Sequence, residues 1–166
     1  MKICYHQILI KKRIKIMKTK TIITAIILLF SLTSFAQTKE ETIAWIKEKL
    51  EQHGGIDGIV SYSFINVSVS PCSISFTEKD DDNDKPIYKY SFNPSEAKKW
   101  TVKEEVFVGL YISADKRIIK QNSLSDDTNE YTWNISIKEG EPGIHERMIK
   151  ALTHLATFCE QKKEAF

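Results

Sequence analysis

Between Ile59 and Lys138, successive segments alternate apolar and polar residues with a period of two, and this pattern constrains the fold most. Such alternation is typical of half-buried β-strands, whose neighbouring side chains point to opposite faces of a sheet. A segment with helical spacing stands at each end instead. The sequence therefore predicts one α+β domain over residues 37–166, with an N-terminal helix, about six mostly antiparallel strands and a C-terminal helix packed on the sheet.

Local signals place the two predicted helices. Thr38 and Glu41 fit a capping box, in which each side chain bonds the backbone N–H of the other residue, and Gly54 supplies a stop signal. Pro142 and Gly143 precede the second helix. Its apolar residues recur at steps of three and four, which predicts a stripe that packs on the sheet. The stripe is Ile144, Met148, Leu152, Leu155 and Cys159.

The alternation also predicts irregularities. Its phase slips between Phe64 and Ile65, which indicates a bulge or a corner there. Asn93 and Pro94 predict a short helix, because they are favoured at the cap and the first position. Further strands are predicted over residues 72–77, 88–92, 106–112, 117–121 and 131–138.

The order of these elements predicts a strongly bent sheet or a partial barrel. It contains no strand–helix–strand repeat, which disfavours the crossover folds that bind nucleotides. A bent sheet capped by a last helix resembles pleckstrin-homology-like domains. The resemblance concerns element order and implies no function.

The start of the chain has the chemistry of a cleavable export signal. Lys18 and Lys20 give a positive start, residues 22–32 are apolar, and small residues precede the predicted cleavage after Ala36. An apolar stretch of about 11 residues is shorter than the roughly 20 that cross a bilayer, so an uncleaved anchor is the weaker alternative. The mature chain would begin at Gln37.

The pattern resembles Gram-negative export signals, and it predicts a soluble product in the periplasm or outside the cell. A signal that starts at Met17 is already complete, so either Met1 or Met17 can be the true start. No cysteine closely follows the apolar stretch, which argues against lipid attachment. We expect no stable membrane insertion after cleavage.

Charge is divided unevenly along the chain. Seven of the 24 Lys and Arg residues, and none of the 22 Asp and Glu residues, precede residue 37. Residues 37–166 therefore hold 17 basic and 22 acidic side chains, a formal net charge of −5. An acidic domain repels phosphate backbones, so we expect no nucleic-acid partner.

Cys72 and Cys159 are the only cysteines after residue 37, and both occupy apolar positions of their predicted elements. Exported proteins meet an oxidising environment, so a disulfide between them is one prediction. The alternative is two buried thiols that pack as small apolar residues.

No motif identifies a catalytic, cofactor-binding or metal-binding residue. The Asp-rich segment 80–84 has alternate carboxylates like a calcium loop, but Lys85 and Ser91 stand where that loop requires Gly and Glu, so a solvated hairpin tip is favoured. His53, His145 and His154 lack the one-turn spacing of helical metal ligands. His53 is expected at a helix end, and the other two at the surface or rim.

By elimination, the leading hypothesis is a non-catalytic exported domain that binds a small ligand, an envelope component or a protein. A small hydrolase with a scattered site is one alternative, and a structural or inhibitory interaction domain is another. No cofactor is implied. Enough aromatic residues are present to line a groove for a sugar or an apolar ligand, although their alternation equally fits core packing. They are Tyr62, Tyr88, Tyr90, Trp100, Tyr111 and Trp133.

Overall fold

The computed structural model describes residues 38–56, 61–105, 109–126 and 128–160. These residues all belong to one compact unit that spans Gln37–Phe166. The predicted export signal over residues 1–36 and its cleavage site lie outside the described residues, so both stay predictions.

The two long helices lie where their caps predict. Helix α1 spans Lys39–His53, and the capping box is formed: Glu41 N donates to Thr38 Oγ1 at 3.1 Å, and Thr38 N donates to Glu41 Oε2 at 2.8 Å. Helix α2 spans Ile144–Glu160. A short 3-10 helix over Pro94–Glu96 follows the Asn93 cap, as expected.

Within the described residues, nine strands form two antiparallel sheets, which confirms the α+β class. Six of them make one sheet in the order β1-β2-β3-β4-β7-β8, and three make a second sheet in the order β5-β6-β9. Their bounds are β1 Gly55–Ile56, β2 Tyr62–Ser70, β3 Ser73–Asp80, β4 Lys85–Phe92, β5 Trp100–Glu105, β6 Gly109–Ala114, β7 Ile119–Ser123, β8 Asn129–Thr132 and β9 Asn134–Ser136.

The six-stranded sheet curls strongly, because its last strand leads back towards its first. At Trp133 the chain passes from β8 into β9 and so changes sheet. Immediately after β9, Ile137 pairs with Gly54, the residue before β1, and Lys138 N donates to His53 O at 2.6 Å. We call β1 to β4 and β7 to β9 the partial barrel.

Three strand predictions need correction. Of the predicted strand over 106–112, residues 109–112 lie in β6, and residues 106–108 lie outside the described residues. Strand β6 pairs antiparallel with β5, which ends at Glu105 and was not predicted. The predicted strand over 131–138 is divided between the two sheets at Trp133. The phase slip in β2 falls between Ile65 and Ser68, later than predicted, where Asn66 takes a positive φ of 55°.

One apolar core joins both helices to the concave side of the sheets. Helix α1 contributes Ile46 and Leu50, and α2 contributes the predicted stripe, including Leu155 with no exposed surface. Of the described helices, none is long and apolar enough to cross a membrane.

Candidate functional site

A pocket of about 160 Å³ lies inside the partial barrel, and each of the barrel's strands contributes to its wall. We call it the barrel pocket. Its apolar wall consists of Ile56, Phe64, Phe76 and Ile135. Its polar wall consists of Glu78, Tyr90, Gln121, Thr132, Asn134 and Ser136.

The alternation of β3 explains how an acid reaches this interior. Ile74, Phe76 and Glu78 occupy every second position, so their side chains share one face of the sheet. Ile74 and Phe76 are buried in the core, whereas Glu78 is half-buried nearer the turn that joins β3 to β4. The polar part of the pocket therefore continues the apolar core along the same strand.

Aromatic rings from three neighbouring strands stack along the pocket. Phe64 and Phe76 lie with their ring centroids 4.0 Å apart and their planes 20° from parallel. Phe76 and Tyr90 follow with a centroid separation of 5.1 Å and an angle of 25°. Phe64 and Phe76 are 5% and 2% exposed, so the half-buried ring of Tyr90 is the part of the stack that a flat ligand can contact.

Glu78 is the ionisable acid of the pocket. Burial raises the pKa of its carboxyl group above the ordinary value, because the charged form loses water. The Tyr90 hydroxyl, as a hydrogen-bond donor, lowers that pKa and offsets part of the rise. Burial also raises the pKa of Tyr90 itself, and the Glu78 charge adds to this effect.

Asn134 brings an unsatisfied acceptor to the same wall. Its Oδ1 atom is buried and has no hydrogen-bond partner among the described residues. Two other described side-chain atoms share this condition, Trp100 Nε1 and Asn122 Oδ1, but neither residue lines the pocket. A buried acceptor without a partner costs roughly 1 to 3 kcal/mol, so the Oδ1 atom of Asn134 reduces the stability of the fold.

The structure brings together the two cysteines between which a disulfide is predicted. It pairs Cys72, in the turn after β2, with Cys159 on α2, and their Cα atoms are 5.0 Å apart. This separation suits a disulfide. The pair ties the C-terminal helix to the sheet at the end of the core, and it does not line the barrel pocket.

His145 is not at the surface as expected but buried, with 3% of its area exposed. Its position next to Ile144 places it in the first turn of α2, where its Nε2 atom lies 2.9 Å from Ile137 O. It lines an open cleft of about 430 Å³ with Glu139, Glu141 and Glu146, and the described lining residues of that cleft include no Ser, Thr or Cys. A pocket that joined His145 or His154 to a carboxylate and a nucleophile would have favoured the hydrolase alternative.

The remaining predicted candidates have structural partners. The Asp-rich segment forms the β3–β4 hairpin turn, where Asp80 Oδ1 accepts from Asp82 N at 2.9 Å and from Asn83 N at 3.2 Å. His53 lies at the end of α1, with Nε2 at 3.4 Å from Glu141 Oε1. His154 packs its ring edge against Phe158. Among the described residues, no group of three His, Cys, Asp or Glu side chains is arranged to hold a metal ion.

The predicted aromatic set divides between three environments. Tyr90 lines the barrel pocket. Tyr62 on β2 and Tyr88 on β4 lie nearer the β3–β4 hairpin turn. The set's other members are buried or exposed: Trp100 and Tyr111 belong to the core, and Trp133 is 38% exposed.

Sequence reasoning missed Glu78 and Asn134. The available signal for Glu78 was its inward phase, two residues after Phe76 in an alternating strand. Nothing local marks Asn134, because its burial depends on the change of sheet at Trp133. No protein-family model, curated protein or solved structure matches this chain.

Proposed function

We propose that this protein is an exported, non-catalytic binding domain whose ligand occupies the barrel pocket. The observation that carries the proposal is the half-buried side chain of Glu78, which lies in the wall of a pocket whose other lining side chains are apolar, aromatic or neutral polar groups. A concave apolar site with a few convergent polar groups is the usual form of a small-molecule site.

The energetics of the pocket support a binding role. The half-buried carboxyl group of Glu78 and the unpartnered oxygen of Asn134 both oppose folding, since each loses water without full compensation. An apolar residue at either position would make a more stable barrel. Groups that reduce stability at a pocket wall are typical of sites selected for function.

Export is proposed from the chemistry of the first 36 residues, with the mature domain in the periplasm or outside the cell. The full 166-residue chain, expressed in a Gram-negative host, should yield a product whose N-terminal residue is Gln37. Intact mass and N-terminal sequencing measure this directly. An uncleaved product that sediments with the membrane fraction would contradict it.

Binding at the pocket is tested with a library of single-ring fragments, added to the isotopically labelled protein and followed by two-dimensional NMR. Bound fragments should shift the amide signals of pocket residues such as Gln121 and Ser136. Ser136→Phe fills the pocket and should abolish those shifts. Ser68→Phe, an equal change at an exposed position of β2, is the control and should retain them.

A screen in which no fragment binds, or in which Ser136→Phe leaves the shifts unchanged, would refute the pocket as a ligand site. The alternative of a protein-interaction domain would then stand. Three large apolar side chains support that alternative, because they are exposed on or beside the edge strand β8. They are Leu124, Tyr131 and Trp133.

A further inference from the structure

The charged side chain in the described wall of the barrel pocket is acidic. Glu78 is its ionisable acid, and none of the described residues that line it is Lys, Arg or His. The other polar side chains of its wall are uncharged. A ligand that pairs with the carboxylate of Glu78 must donate hydrogen bonds, and positive charge strengthens them.

The charge of Glu78 also acts on the neighbouring strand, because it raises the pKa of Tyr62 after burial, which is the larger cause. Basic groups lie near the turn as well: Lys79 and Lys138 contact aspartates of the hairpin turn at 2.7 Å and 3.7 Å. None of the ion pairs between described residues includes Glu78, so its carboxylate can pair with a cation in the pocket.

The aromatic rings favour the same class of ligand. The face of an aromatic ring carries negative electrostatic potential, so it attracts a cation that lies against it. Tyr90 belongs to the pocket wall and is half-buried, whereas Phe76, on which it stacks, is 2% exposed. Tyr90 can therefore contact the ring of a ligand or a charged nitrogen attached to it.

We propose that the barrel pocket binds a small organic cation, a single flat ring bearing a protonated nitrogen, with the nitrogen at Glu78 and the ring against Tyr90. The inference rests on the proposed function of the pocket as a ligand site. Its volume of about 160 Å³ suits this size. A cavity of about 150 Å³ in another protein holds one benzene molecule.

Protons compete with such a ligand. A cation favours the ionised form of Glu78, so its affinity should rise as the pH rises through the pKa of that carboxyl group, and acid should weaken it. The phenols of Tyr62, Tyr88 and Tyr90 lie on the strands that pair with β3 on either side of Glu78. Burial raises the pKa of Tyr62 and of Tyr90, so both stay neutral over this range. Asp80 at the turn and Glu130 opposite Gln121 are the acidic groups at the rim.

The experiment uses three probes of nearly equal size and different charge: benzylammonium, benzyl alcohol and benzoate. Calorimetric titration of the full-chain product at pH 7 should give a dissociation constant at least about tenfold lower for benzylammonium than for benzyl alcohol, with no binding of benzoate. The affinity for benzylammonium should fall at pH 4, and that for benzyl alcohol should not.

Glu78→Gln keeps the shape of the side chain and removes its charge. It should weaken benzylammonium binding about tenfold and leave benzyl alcohol unaffected, whereas Glu96→Gln, at an exposed residue of the short 3-10 helix, should change neither. Equal affinity of wild type and Glu78→Gln for benzylammonium would overturn the proposal. If Glu78→Gln does not fold, a wild-type affinity for benzylammonium that is unchanged between pH 4 and pH 7 would overturn it instead.

The outcomes distinguish failure of the cationic-ligand proposal from failure of the pocket as a ligand site. Tighter binding of benzyl alcohol or benzoate than of benzylammonium, abolished by Ser136→Phe, would overturn the cation and retain the pocket as a ligand site. Failure of all three probes and of the wider fragment library would overturn both.

Discussion

Phe76 on β3 lies directly opposite Tyr90 on β4, and their rings stack with centroids 5.1 Å apart. This pairing holds the Tyr90 hydroxyl beside the carboxyl group of Glu78, two residues along β3 from Phe76. The sheet register therefore sets the ionisation of the acid in the pocket, because the strand that carries the acid is paired with the strand that supplies its hydrogen-bond donor.

Tyr90→Phe keeps the stacked ring and removes only the hydroxyl. Since that hydroxyl lowers the pKa of Glu78, we expect the pKa of the Glu78 carboxyl group to rise further in the variant. An NMR titration of the side-chain carboxyl carbons, assigned with Glu78→Gln, measures it. Tyr131→Phe, at a residue with 55% of its area exposed, is the control and should leave the Glu78 titration unchanged. An unchanged or lower pKa in Tyr90→Phe would show that the hydroxyl does not act on Glu78.

Glu78→Gln should stabilise the empty protein at high pH. The folded pKa of Glu78 lies above its unfolded value, so folding opposes ionisation, and the wild type loses stability as the pH rises through the folded pKa. At pH 8 we expect the variant to exceed the wild type by roughly 1 kcal/mol in the free energy of unfolding, with the difference shrinking towards pH 4. Urea unfolding across this range gives the values.

Glu96→Gln serves as the matched control for that experiment, because it removes an exposed carboxylate away from the pocket. Its difference from the wild type should stay small at both pH values. A Glu78→Gln variant that is less stable than the wild type at pH 8 would contradict the assignment of Glu78 as a group that opposes folding.

Glu141 should have the opposite dependence on pH. Hydrogen bonds from Lys49 and then Arg147, each 2.6 Å long, lower the pKa of its carboxyl group from 4.5 to about 2. A depressed folded pKa gives stability that is present above pH 4.5 and is lost as the pH falls towards 2. Glu141→Gln should therefore be less stable than the wild type at pH 7 and should lose less stability between these pH values.

Urea unfolding at several pH values measures this difference, and added salt should reduce it, because exposed ion pairs are screened. Glu139→Gln removes an exposed carboxylate from the same loop and is the control. If both variants lose stability equally between pH 4.5 and pH 2, the Lys49 and Arg147 contacts do not stabilise the fold.

Local signals sufficed for the parts of the fold that depend on local chemistry. The capping box at Thr38 and the apolar stripe of α2 are formed by residues within a few turns of each other, so the sequence predicts them directly. The strand predicted over 106–112 was right for residues 109–112, which lie in β6, whereas residues 106–108 lie outside the described residues. The sequence did not predict that Gly109, with a φ of 76°, pairs antiparallel with Glu105 at the end of β5.

The pocket could not be predicted, because it depends on contacts between distant residues. The alternation around Trp133 continues without a break although the chain changes sheet there, and period alone does not distinguish one strand from two. The pairing of Gly54 with Ile137 then closes the partial barrel. Gly54 suits that position, since a Cβ atom there would overlap the ring of Phe64 and the carbonyl oxygen of Leu50.

The pairing of Cys72 with Cys159 should contribute much of the stability of the oxidised protein. A disulfide between them closes a loop of 87 residues, and on the chain-entropy model such a loop stabilises the folded state by about 4 to 5 kcal/mol. The double variant Cys72→Ala and Cys159→Ala should lower the free energy of unfolding by that order, as urea unfolding measures it. Alanine at position 159 removes the Sγ atom that Ser95 Oγ contacts at 3.6 Å, but that hydroxyl keeps its hydrogen bond to Asn93 Oδ1 at 2.9 Å.

The control is the wild type after reduction, which should lose a similar amount of stability, while the same reductant should leave the double variant unchanged. Cleavage after Ala36 would remove Cys4 and leave only these two cysteines, so alkylation followed by mass measurement counts the free thiols directly. We expect none in the exported, unreduced and denatured protein. Two alkylated thiols would mean that the cysteines pack as separate apolar side chains, and the stability of the reduced and unreduced wild type should then be equal.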